Sequence, residues 1–107
     1  MKLKLVILPM AQVDLYDTAE HISLTSVENA RRFLASAHES FDDLLEMPGL
    51  GSKREFSQQG SAELRSWRIH DFENWLVFYR VVGETVEILR VLHGARDVEG
   101  LIEGGSV

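Results

Sequence analysis

Residues 76–97 constrain the fold more than any other part of the chain. The runs Leu76 to Val82 and Thr85 to His93 are dense in Val, Ile, Phe, Tyr and Leu. Between them lies only Gly83-Glu84, a Gly-X pair suited to a two-residue hairpin loop with positive φ at its first position. Two strands joined by a tight turn are predicted. Pairing Val82 with Thr85 sets Val81 opposite Val86, Arg80 opposite Glu87, Tyr79 opposite Ile88 and Val77 opposite Arg90. Because side chains alternate across a strand, one face carries Leu76, Phe78, Leu89 and Val91, and the other Val77, Tyr79, Ile88 and Arg90. Both faces are largely apolar, the pattern of central strands covered by helices on one side and by further chain on the other. The second strand then runs out through His93, Gly94, Ala95, Arg96 and Asp97.

The rest of the chain has to supply those covers. With 107 residues, 45% hydrophobic and 26% charged, a single domain spanning 1–107 is expected. Lys2 to Leu8 alternates and then becomes fully apolar, as a strand entering a core does, and Pro9 ends it. From about Met10 to Ser23, Leu15, Ala19 and Ile22 recur at helical spacing. A second helix follows Leu24-Thr25-Ser26, with Ser26 as its N-cap and Ala30, Phe33, Leu34, Ala37, Phe41, Leu44 and Leu45 as its apolar stripe. Pro48-Gly49 stops it, and Met47 is its last possible helical residue. The short connection makes the two helices an antiparallel hairpin laid on the sheet. Gly49 to Ser61, rich in Gly, Ser and Gln, reads as a loop. Glu63 to His70 alternates again, with Trp67 and Ile69 on one face and Ser66, Arg68 and His70 on the other. A turn at Glu73-Asn74 would place Arg68 beside Tyr79 and His70 beside Val77.

The fold class is therefore α+β: an N-terminal strand and a two-helix hairpin on a small, mostly antiparallel sheet. Several functions are excluded or disfavoured. The chain has no cysteine, so it has neither disulfides nor a thiolate site. The apolar run Leu5 to Leu8 is too short for a secretory core or a membrane span, so a cytoplasmic protein is expected, with no membrane partner. A formal net charge of −6 argues against broad phosphate-backbone binding, which needs a basic footprint, though not against local contact, and no direct sequence-specific nucleic-acid binding is expected. His21 and Asp17, four apart on one helix, do not make a metal site, and neither a metal nor a cofactor is expected.

Two clusters are candidates for function. Arg68, His70, Tyr79 and Arg90 would share the sheet face opposite the helices. That face could hold an acidic partner or a phosphate through the guanidinium forks, or its residues could simply pair with Glu63, Glu87 and the terminal carboxylates. His93 with Arg96 and Asp97 has the parts of an acid-base pair and a phosphate clamp, but the plainer role of Gly94 to Asp97 is to order the chain end. Arg80 opposite Glu87 reads as a cross-strand ion pair.

Five segments in this order resemble the RelE/ParE superfamily of toxins, in its ParE-like branch. They are Leu8 to Leu15, Asn29 to Leu34, Met47 to Gly51, Trp75 to Val81 and Ile88 to Asp97, within a likeness that runs from about Lys4 to Ile102. The resemblance implies a toxin of a type II toxin-antitoxin (plasmid-stabilising) system. Such a toxin is held silent by a small ParD-like antitoxin that wraps it with a helix and an extended segment. ParE-like members poison DNA gyrase by binding, whereas RelE-like members cut messenger RNA on the ribosome. Where those ribonucleases carry a catalytic Arg after the aromatic opening the third strand, this chain has Leu76. Where they carry a basic or aromatic end, it has Val98 to Val107. Only Arg96 matches a catalytic Arg position. The resemblance thus implies a gyrase-binding toxin without a catalytic residue, contacting antitoxin or target through Arg68, Tyr79, Arg90 and Arg96. The alternatives are a ribonuclease using Arg96 and His93, and a remnant that binds antitoxin only.

Overall fold

The structure, a computed structural model, describes residues 2–54, 63–94 and 101. In chain order these form β1 (Lys4–Ile7), α1 (Pro9–Ser23), α2 (Val27–Glu46), β2 (Ser52–Arg54), β3 (Leu64–Ile69), β4 (Phe72–Val82) and β5 (Thr85–His93). One sheet in the order β1-β5-β4-β3-β2 carries both helices on one side. All neighbours are antiparallel except β1, which lies parallel to β5 from Lys4 opposite Thr85 to Ile7 opposite Ile88. The expected α+β layout is therefore present.

Local chemistry accounts for the helix ends. Pro9 occupies the first turn of α1, where its fixed φ suits the helix and its missing N–H is not needed. Ser26 caps α2 by accepting the Asn29 N–H at 3.1 Å. The stripe read from the sequence is the one buried: Phe33, Phe41 and Leu44 are 0% exposed, each contributing about 2–3 kcal/mol of apolar burial. Phe33 receives the rings of Phe72 and Trp75 edge to face, at 5.3 and 5.7 Å between centroids, which ties α2 to the start of β4.

The sheet departs from the expected registers at two irregularities. The hairpin pairs as read from Val82–Thr85 through Tyr79–Ile88. There the register slips, so that Phe78 faces Arg90 and Val77 faces Val91, with Leu89 as the extra residue. This β-bulge reverses the parity beyond it. Val91 joins Val77 and Tyr79 in the core under the helices, while Leu92 joins Phe78 and Leu89 on the other face. Between β3 and β4 the turn falls at His70-Asp71 rather than Glu73-Asn74, with Asp71 at φ 67°, a conformation Asp tolerates better than most residues. The register then shifts, and Arg68 pairs with Leu76 and Arg65 with Tyr79. Ser52 to Arg54, expected in a loop, forms an edge strand. The remainder of that loop, residues 55–61, lies outside the described residues, as do Ala95 to Asp97.

The second sheet face is apolar as predicted. Leu64, Phe78, Leu89 and Leu92 are buried there with Leu8, Leu76 and Leu101 packed against them, and the Arg54 guanidinium sits 5.5 Å from the Phe78 ring centroid. Among the described residues no helix is long and apolar enough to cross a membrane.

Candidate functional site

Register decides which polar side chains meet, and it disperses the set expected to share one face. Tyr79 is 0% exposed in the core beneath the helices. Its hydroxyl donates to the Pro48 carbonyl at 2.6 Å and accepts the Gly51 N–H at 2.9 Å, pinning the corner between α2 and β2. Burial pushes its ionisation above the usual tyrosine value. Arg65, next to Tyr79 across the β3–β4 ladder, holds the same corner by donating to the Gly51 carbonyl at 2.7 Å.

Arg90 is also internal, 6% exposed. Its Nε and Nη2 make a fork on the Asp14 carboxylate at 2.8 and 2.9 Å, and its Nη1 donates to the Leu101 carbonyl at 3.3 Å. That hydrogen-bonded pairing raises the Arg90 pKa, so the guanidinium stays charged. The same carboxylate accepts the Val91 N–H at 2.9 Å, just past the point where β1 stops pairing with β5. Tyr79 and Arg90 therefore form no open face with Arg68. The early turn at Asp71 sets Arg68 opposite Leu76 and the bulge at Leu89 sets Arg90 opposite Phe78, so both leave the side of Tyr79, which is the side under the helices rather than the open one expected.

Arg68 remains at the surface, beside a notch in the sheet. β2 accompanies β3 only as far as Ser52 opposite Ser66, so among the described residues Trp67 to His70 have no strand on their outer edge. At the far end of the notch α2 closes in, with Ser40 accepting the His70 N–H at 3.1 Å. A groove of about 410 Å³ opens here, lined by Arg54 and Ser52 of β2, Ser66 and Arg68 of β3, Glu73, and Asp43 of α2. A shallower depression of about 320 Å³ adjoins it, sharing Arg68, Glu73 and Leu76 and reaching His93. His93 is half-buried, its ring edge-on to Trp75 at 5.0 Å. Among the described residues no carboxylate pairs with Arg54 or Arg68. Arg80 does bond Glu87, at 2.7 Å, as the hairpin register predicts.

Arg96, expected either in binding or in catalysis, lies outside the described residues. Sequence reasoning missed Asp14 as the partner of Arg90 and missed Arg54 altogether. Asp14 carries no local mark, because its partners lie more than seventy residues away. Arg54 was hidden in a Gly/Ser-rich stretch with no strand periodicity. Among the described residues no three His, Asp or Glu side chains gather as metal ligands would.

Comparison with known proteins adds to this geometry. Residues 5–98 match the family described as the ParE toxin of the type II toxin-antitoxin system, parDE. Among solved structures, a chain titled as the chromosomal ParDE TA system from P. aeruginosa has the same fold. It aligns with a TM-score of 0.69 at 22% identity, over 86% of this chain and 96% of that one. No curated protein matches.

Proposed function

Because the chain belongs to the ParE toxin family of type II toxin-antitoxin systems, we propose that it is a toxin acting by non-covalent binding to DNA gyrase and silenced by a cognate ParD-like antitoxin. The family match over residues 5–98 carries this reading. The P. aeruginosa structure, whose title names a ParDE system, supports an antitoxin as the partner. Of the described residues proposed for contact, Arg68 is the exposed one, whereas Tyr79 and Arg90 act from inside by shaping the surface. Arg96 remains a proposed contact. The test is a supercoiling and cleavage assay of purified gyrase with and without ATP. Accumulation of linear, enzyme-linked DNA is expected, and gyrase unaffected at a large excess of the protein would refute the reading for that enzyme.

One observation favours a second reading. Arg68, Glu73 and His93 line a single depression, so an imidazole, a carboxylate and a guanidinium come within one small volume, the combination that RNA cleavage through the 2′-hydroxyl requires. Mapping transcript ends on translating ribosomes tests it. Discrete cuts that vanish with His93→Ala but not with Arg31→Ala would support the ribonuclease.

A further inference from the structure

We infer that the notch along β3 is a binding groove for a single-stranded nucleic-acid backbone, held chiefly by Arg54 and Arg68. The inference goes beyond gyrase binding and does not depend on it. It rests on three observations.

First, the charge of the molecule is sorted by layer. Residues 9–47, which hold both helices, carry eight carboxylates against two arginines. The described residues outside 9–47, which hold all the strands, carry eight Lys or Arg against five carboxylates. The net charge of −6 therefore conceals a sheet side of opposite sign, and a polyanion approaches from that side.

Second, the two guanidiniums at the groove are available. Arg80 and Arg90 are committed to Glu87 and Asp14, and Arg65 to Glu63 and the Gly51 carbonyl. Among the described residues Arg54 and Arg68 have no such carboxylate, Arg54 lying over the Phe78 ring instead. They flank the Ser52–Ser66 pair, two residues beyond it on one side and two on the other, with Arg54 opposite Leu64 and Arg68 opposite Leu76. Two rows either side of a hydroxyl-bearing pair is about 13 Å of strand, a span that two arginine side chains bridge from both ends to reach successive phosphates.

Third, the remaining lining selects the ligand. Asp43 and Glu73 face the same space, which is unfavourable for an acidic peptide but useful for a nucleotide, whose bases bring N–H donors as well as a phosphate acceptor. The groove continues past Arg68 toward His93, so a strand rather than an isolated phosphate fits its length. Nothing in the lining distinguishes ribose from deoxyribose, so DNA and RNA share the chemistry.

The test uses the full chain and fluorescein-labelled, mixed-sequence oligonucleotides of about ten nucleotides, within the range of single-strand site sizes, as DNA and as RNA. Affinity is measured by anisotropy from low to moderate salt. Saturable binding at low salt is expected. The double variant Arg54→Ala/Arg68→Ala should weaken it about tenfold or more and flatten the dependence of log K on log[salt] by about 1.4, the contribution of two phosphate contacts to a single strand. Arg31→Ala, which removes an exposed cation from the helical layer, should change neither. The double variant alters one exposed and one half-buried side chain, and an unchanged urea midpoint checks that it folds. Preference for the DNA or the RNA arm identifies the source of the strand, and either supports the groove. Absence of saturable binding at low salt overturns the proposal, as does a double variant that binds like wild type. It is equally overturned if a glutamate-rich peptide of matched charge binds through the same two arginines more tightly than either oligonucleotide. Gyrase is absent from the assay, so failure here and failure of the gyrase reading remain distinguishable.

Discussion

Tyr79 illustrates how one buried polar atom can organise a corner. Its hydroxyl fills both of its roles, donor to Pro48 and acceptor from Gly51, so Tyr79→Phe would strand a buried N–H and a buried carbonyl together. The expected cost is about 1–3 kcal/mol, read from the urea midpoint. Alkali provides a second readout. An unfolded tyrosine ionises near 10.0 and burial holds Tyr79 above that, so the unfolded chain releases this proton first. The corresponding stability is complete below about pH 10 and is lost as pH rises toward the folded-state value. Stability should fall less steeply above pH 10 in Tyr79→Phe than in wild type. Arg90 makes a sharper case. Arg90→Ala leaves the Asp14 carboxylate buried without its cation and should cost about 3–5 kcal/mol. The double change Asp14→Leu/Arg90→Met should recover only part of this in a double-mutant cycle, because the Val91 N–H loses its acceptor in either case. Any loss of partner binding in an Arg90 variant therefore has to be measured against loss of fold.

At the level of the elements, α2 has a good beginning and a poor end. Ser26→Ala should cost about 1 kcal/mol through loss of the cap. Asp42, Asp43 and Glu46 crowd the last turns, where the helix dipole favours cations, and no basic residue lies in the last turn. Glu46→Lys is accordingly expected to stabilise by about 0.3–1 kcal/mol at low salt, with the gain shrinking as salt is added. The helices and the hairpin were legible in the sequence because their signals are local: Phe33, Phe41 and Leu44 recur at helical spacing, and Gly83-Glu84 marks its turn. What could not be read depended on residues that leave the pattern. Leu89 has the same composition whether it pairs or bulges, yet it determines that Val91 faces the helices. Asp71 takes the turn that Glu73-Asn74 resembled, and that choice separates Arg68 from Tyr79. The candidate face was thus assembled from correctly identified strands in the wrong register. Arg68 stayed at the surface because β2 stops at Ser52 and no described strand runs along the outer edge of β3 beside it.

On the scale of the whole molecule, the last strand to be made closes against the first. β1 and β5 join residues about eighty positions apart in the chain, so this pairing requires closure of nearly the whole length. A variant beginning at Pro9 would expose the Val86 and Ile88 edge and remove Leu5 and Ile7 from the core. It is expected to lose the single cooperative urea transition and to bind hydrophobic dyes, whereas retention of one sharp transition would show β1 to be dispensable. The Asp14 contact has a further consequence for the free protein. Beyond Ile7 the border of β5 is occupied by the Arg90-paired carboxylate of Asp14, which satisfies the Val91 N–H and fills the place where the backbone of an incoming strand would have to lie. On this side of the sheet, among the described residues, only the four residues of β1 then offer a bare edge for templating another chain, a short landing for a second copy. This border of the free protein is thereby closed to a second copy by a helix side chain rather than by another strand.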